Sequence, residues 1–120
     1  MPLWSRQRLL EVPVRAVVDA ATRSARYVPL GIEALAGALR ELPGWRCDGN
    51  RLIRTVHPRD LWSLLEQVVA VEDELDHHTD VTLDNGGVTF TLWTHVRDAV
   101  TLADLELARR LDTISRALER

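Results

Sequence analysis

The chain has no lysine; every one of its 15 basic residues is arginine. That excludes Schiff-base chemistry on a lysine amine, a phosphate-binding loop closed by lysine, and a lysine general base. Arginine instead stays charged and offers a planar fork of donors. Cysteine is nearly as scarce. The single Cys47 has no partner for an internal disulfide, so a reducing, cytoplasmic setting is expected. No apolar run approaches the roughly 18 residues that suggest a membrane span, so no membrane role is expected. The first residues also lack an apolar signal-peptide segment, and Glu11, Pro13 and Asp19 oppose a transit-like reading of the arginine-rich start. A large positive surplus is missing too: the formal net charge is −3, which argues against direct nucleic-acid binding.

What is present fits one globular domain: 120 residues, 46% hydrophobic and 28% charged. The charge is unevenly placed. Residues 1–60 carry 10 arginines against 6 acids, and residues 61–120 carry 5 against 12. Residues 1–29 read as a basic extension punctuated by Pro2, Pro13 and Pro29. Val14, Val17, Val18, Ala21 and Ala25 predict a short helix near 14–26, which either packs on the domain or forms an arm for a partner.

The domain proper spans 30–120. Ile32, Leu35, Ala36, Leu39 and Leu42 form a helical stripe near 31–41, stopped by Pro43-Gly44. Arg46-Cys47 and Leu52 to Val56 flank an Asp48-Gly49-Asn50 turn, a first hairpin. Leu61, Leu64, Leu65, Val68, Val69 and Leu75 predict a long helix from Asp60 to near Asp76. Its last turn is dense in acids, an arrangement the helix dipole disfavours. Asn85-Gly86 signals a type I′ hairpin and fixes its register: Asp84 opposite Gly87, Leu83 opposite Val88, Val81 opposite Phe90. Val81, Leu83, Val88, Phe90 and Leu92 then share one face; Thr82, Thr89, Thr91, Trp93 and His95 share the other. Thr101-x-x-Asp104 opens a last helix striped by Leu105, Ala108, Leu111, Ile114 and Leu118. The order αββαββα predicts an α+β fold: a four-stranded antiparallel sheet with helices on one face.

Four histidines could carry chemistry. His57 precedes a proline and reads as a loop residue. The hairpin register brings His77 and His78 to the sheet end where His95 lies, with Asp73, Asp76 and Asp80 close in sequence. Spacing alone leaves three readings open. A metal site is disfavoured because adjacent histidines tend to point apart. A hydrogen-bonded structural cluster is the second. Acid–base chemistry near neutral pH, one imidazole accepting while another donates, is the third. Nucleophilic catalysis is disfavoured because Cys47 has no histidine beside it.

Leu42-Pro43-Gly44-Trp45, Ile53-Arg54, Asp73-x-x-x-His77-His78, Leu92-Trp93-Thr94-His95, Thr101-x-x-Asp104 and Leu107-Ala108 follow one another across residues 31–113. In this order and spacing they resemble the pterin-4a-carbinolamine dehydratases. The resemblance implies an α+β fold built as homodimers that can pair into homotetramers. It implies expulsion of water from a 4a-hydroxytetrahydropterin to give a quinonoid dihydropterin. His77 and His95 would share acid and base duty and His78 would position the substrate. Trp45 and Asp104 would help form the pocket, with Asp76 beside them as a further substrate-binding candidate. No cofactor or metal is implied, since the pterin is the substrate.

Three features depart from the family pattern. Thr79 stands where His-His-Pro is usual. Asn85 occupies the place of an aromatic residue. Val96 to Val100 replaces a loop that tends to contain glycine. These departures, with the basic extension, support a second reading: a catalytically silent member that binds a protein client, as a transcriptional coactivator or a Rubisco assembly factor of the α-carboxysome does.

Overall fold

The computed structural model describes residues 25–119. The expected helix near 14–26 therefore lies almost wholly outside the described residues. Helix α1 (Ile32–Arg40) leads into strands β1 (Arg46–Asp48) and β2 (Arg51–Val56). Helix α2 (Leu61–Leu75) follows, then β3 (Asp80–Asp84), β4 (Gly87–Leu92) and helix α3 (Leu102–Leu118). The four strands form one antiparallel sheet in the order β1-β2-β4-β3. Among the described residues no helix is long and apolar enough to cross a membrane.

Local chemistry sets the element ends. Asp60 caps α2, its carboxylate accepting from the Ser63 amide at 3.1 Å. Thr101 and Asp104 form the reciprocal capping box at the start of α3. Asn85 and Gly86 both take positive φ (49° and 78°), as a type I′ turn requires. The β3–β4 register follows from that turn: Asp84 faces Gly87 and Val81 faces Phe90.

Alternation along β2 and β4 turns Leu52, Val56, Val88, Phe90 and Leu92 inward, where Leu64, Val68, Val71, Leu107, Ala108 and Leu111 of α2 and α3 cover them. Phe90 and Leu111 are fully buried; truncating such a residue to alanine costs about 2–5 kcal/mol. Coverage is uneven at the edges. Val81 and Leu83 share the inward face of the sheet, yet edge strand β3 is exposed along its whole length. Helix α1 buries no residue fully; Leu35 and Leu39 pack partway, and Ile32, at one end of the expected stripe, is 89% exposed.

The far end of the molecule is tied by Arg54, which points inward from β2. Its guanidinium donates to the Pro43 carbonyl (2.9 Å) and to Glu119 (3.2 Å), and lies 3.8 Å from Asp112. Asp112 also pairs with Arg116 at 3.0 Å. Gly44 runs past this guanidinium at φ 91°, and a Cβ there would sit 1.8 Å from Nη1.

Candidate active site

Helix α2 ends on Asp76, which takes a left-handed conformation (φ 51°). The Asp76 and His77 amides both turn back onto the Glu72 carbonyl. This tight stop brings His77 down against the first turn of α3. There His77 Nε2 lies 2.6 Å from Asp104 Oδ1, with His77 buried and Asp104 fully so (0% exposed). A carboxylate only accepts, so Nε2 carries the proton and Nδ1 is left as the acceptor nitrogen.

The second oxygen of Asp104 is held as firmly. Oδ2 accepts from the Thr101 amide (2.8 Å) and from the Thr94 hydroxyl (2.9 Å). Because Thr94 gives its proton to Asp104, the 2.7 Å contact between Thr94 and Thr101 is a donation from Thr101. The carboxylate that completes the helix cap thus also fixes the tautomer and orientation of His77.

His95 reaches the same place from the other hairpin strand. Strand β4 ends at Leu92, and His95 opens a single helical turn, His95–Arg97. Its ring stacks on Trp93, with centroids 4.1 Å apart and planes 12° from parallel. The Arg51 guanidinium also lies on the Trp93 ring, 3.8 Å from its centroid, and pairs with Asp98 at 3.1 Å. The histidine is exposed, but its indole support is clamped from β2.

His77, His78 and His95 line one cavity of about 340 Å³, together with Asp76, Trp93, Thr94, Val96 and Tyr27. That volume lies within the ordinary range of small-molecule sites. His78 is exposed, its Nδ1 3.7 Å from the Glu72 carboxylate. Of the remaining candidates, Asp104 sits behind His77 rather than on the cavity wall. Trp45 is buried in the core (6% exposed) and is not among the lining residues. His57 is exposed and does not line the cavity.

Four contributors escape a reading by spacing. The acids expected to serve the histidines were Asp73, Asp76 and Asp80; the carboxylates in contact are Asp104 on His77 and Glu72 beside His78. Thr94 had a signal: strand alternation turns it inward between Trp93 and His95, where a buried hydroxyl needs a partner. Arg51 and Tyr27 had none. Tyr27 comes from the segment read as an extension. Its carbonyl accepts from Arg97 Nε, and its ring lies 6.5 Å from that of His77. Arg26 beside it pairs with Glu106 at 3.0 Å.

Known proteins share this arrangement of chain. A model of the pterin 4 alpha carbinolamine dehydratase family matches residues 28–114. A Streptomyces avermitilis protein, provisionally named a pterin-4-alpha-carbinolamine dehydratase, is 40% identical over 72% of this chain and 90% of its own length. A Nocardia farcinica protein of the same provisional name is 34% identical over 72% of this chain and 95% of its own. A Brucella melitensis crystal structure, described as a transcriptional coactivator/pterin dehydratase, superposes with a TM-score of 0.68 at 29% identity. That likeness covers 73% of this chain and 99% of the other. The match across the α+β core, and the extent to which these relatives are covered, lead to one conclusion: the chain belongs to the pterin-4-alpha-carbinolamine dehydratase family.

Proposed function

We propose that the protein dehydrates a 4a-hydroxytetrahydropterin by histidine acid–base chemistry. The observation that carries this is the buried His77–Asp104 pair, 2.6 Å apart, on the wall of a cavity that His78 and His95 also line. His77 Nδ1 takes the proton from pterin N5. The electron pair left on nitrogen forms the C4a=N5 double bond as the C4a–OH bond breaks. His95 gives its proton to the departing hydroxyl, which leaves as water. Asp104 stabilises the imidazolium that forms on His77. Exposed His95 is reprotonated from solvent. The flat pterin ring suits a cavity with Trp93 and Tyr27 in its walls, and His78 and Asp76 at the rim orient it. The pterin is the substrate, so the reading calls for neither cofactor nor metal.

Accelerated dehydration of 4a-hydroxytetrahydropterin by the purified chain, lost in His77→Ala and in His95→Ala, is the expected result. Turnover no faster than buffer would end the proposal.

A homodimer or homotetramer belongs to the same proposal. It is supported by the exposed apolar residues of β3 and of the outer face of α2, where Trp62 is 74% exposed. The lone Cys47 supports a cytoplasmic setting.

The same outward apolar residues, and the coactivator description of the Brucella melitensis protein, favour a second reading. Here the chain binds a protein client, with Rubisco the one to test. Comigration of the full chain with Rubisco in size-exclusion chromatography, weakened by deleting residues 1–24 at low salt, would support it; independent elution would count against it.

A further inference from the structure

The His77-His78-Thr79 loop lacks the proline that family resemblance expects at 79, and Thr79 brings a backbone N–H that proline does not have. That N–H is not left to solvent. It donates to Glu72 Oε2 at 2.7 Å. Glu72 lies on the last full turn of α2, and its side chain is only 12% exposed. It grips the loop twice more: its carbonyl accepts from the Asp76 and His77 amides, and Oε2 sits 3.7 Å from His78 Nδ1. Thr79 is also tied on its other side, where its hydroxyl donates toward the Thr91 carbonyl (3.2 Å) and its neighbour Asp80 pairs with Thr91.

The geometry points to Glu72 as a positioning residue for the histidine pair: its carboxylate fixes the Thr79 amide, and so the path of the loop through His77 and His78, in place of a proline ring. The acid occupies the end of the helix where the dipole disfavours negative charge. The Thr79 amide and the neighbouring imidazole give that charge a use there. The role rests on the dehydratase reading, since what it positions is the base and the substrate-orienting histidine.

The test uses the full chain and two independent readouts. The first is amide hydrogen exchange at Thr79. Protection is expected in the native protein, lost in Glu72→Ala and kept in Glu72→Gln, whose amide oxygen still accepts. The second is steady-state dehydration. Glu72→Ala should lower kcat on the order of 100-fold, the scale of a misplacement near 1 Å, with a smaller change in KM; Glu72→Gln should recover most of it. On a Thr79→Pro background, where no N–H remains to be held, Glu72→Ala should cost little more. Equal Thr79 exchange in the native protein and Glu72→Ala would overturn the role, as would full additivity of the two substitutions. If the native protein proves inert, the dehydratase reading falls while the exchange measurement still decides whether Glu72 holds the loop.

Discussion

His77 Nε2 and Asp104 Oδ1 lie 2.6 Å apart, although 27 residues separate them in the chain. The pair joins the end of one helix to the first turn of another. It therefore serves the fold as well as the site, and a substitution at either residue should be felt in both.

Asp104→Asn should damage both. Oδ2 receives two donors, the Thr101 amide and the Thr94 hydroxyl, while Oδ1 receives a third from His77. An asparagine can present only one oxygen; with that oxygen kept for Thr101 and Thr94, its NH2 faces His77 Nε2 and drives the imidazole to the tautomer in which Nε2 accepts. A stability loss of about 1 kcal/mol is expected in urea unfolding, from charge-assisted hydrogen bonds made neutral. Turnover should fall with it, because the tautomer of His77 that leaves Nδ1 to accept is no longer imposed.

His77→Ala and His95→Ala should part company in stability. Removing His77 leaves the buried Asp104 oxygen without a partner, a loss of about 1–3 kcal/mol. His95 is exposed and, among the described residues, its ring stacks on Trp93 alone; its removal should stay within about 0.5 kcal/mol. Both variants should lose dehydration. Denaturant midpoints beside initial rates distinguish the two cases, and equal midpoints would contradict the dual role of His77.

Tyr27→Ala should raise KM about fivefold and leave kcat nearly unchanged. The ring forms one cavity wall but is placed at no reacting atom, and an aromatic contact is worth about 1 kcal/mol beyond its area. A fall in kcat with KM constant would mean that Tyr27 acts in the chemistry.

Arg54→Met should destabilise the chain by about 1–3 kcal/mol, since it leaves the Pro43 carbonyl and Glu119 without their donor and takes one of two cations from the largely buried Asp112, which keeps Arg116. Gly44→Ala attacks the same place from the other side. Its methyl would collide with the guanidinium, at a φ of 91° that alanine rarely adopts. Thermal unfolding of the two variants checks both, and a melting temperature unchanged in Arg54→Met would refute the network's role.

Burial, and then the neighbouring Asp48 carboxylate, push the Cys47 thiol up. Less thiolate is then present near neutral pH than in a free cysteine, and alkylation by iodoacetamide at pH 7–8 should be slower than that of a cysteine peptide. Denaturation should remove the difference.

The sequence spoke most clearly where structure is set within a few residues. Asn85-Gly86 dictated the β3–β4 register residue by residue, and Thr101 with Asp104 marked the start of α3. Convergence of His77, His78 and His95 followed from that register. What it could not reveal depends on which surfaces end up covered. Ile32 keeps helical spacing yet stays in solvent, and Val81 and Leu83 share the face of Phe90 without being buried, because the helices stop short of β3. Trp45 carries a family motif, but its ring is spent on the core. Glu72 and Thr79 are seven residues apart; only the reversal at Asp76 makes them neighbours.

The shared use of Asp104 bears on how such a protein changes over evolutionary time. A lineage that abandoned the pterin would still be penalised for losing His77 or Asp104, because each completes the burial of the other. Thr94 and Thr101 would be retained for the same reason. His95, which among the described residues secures no more than its own stack, could drift freely. A family member that has turned to binding work should therefore show an intact His-Asp signature beside a replaced third histidine. On the proposed dehydratase reading, the third histidine, rather than the pair, should be the position that distinguishes active from retired members.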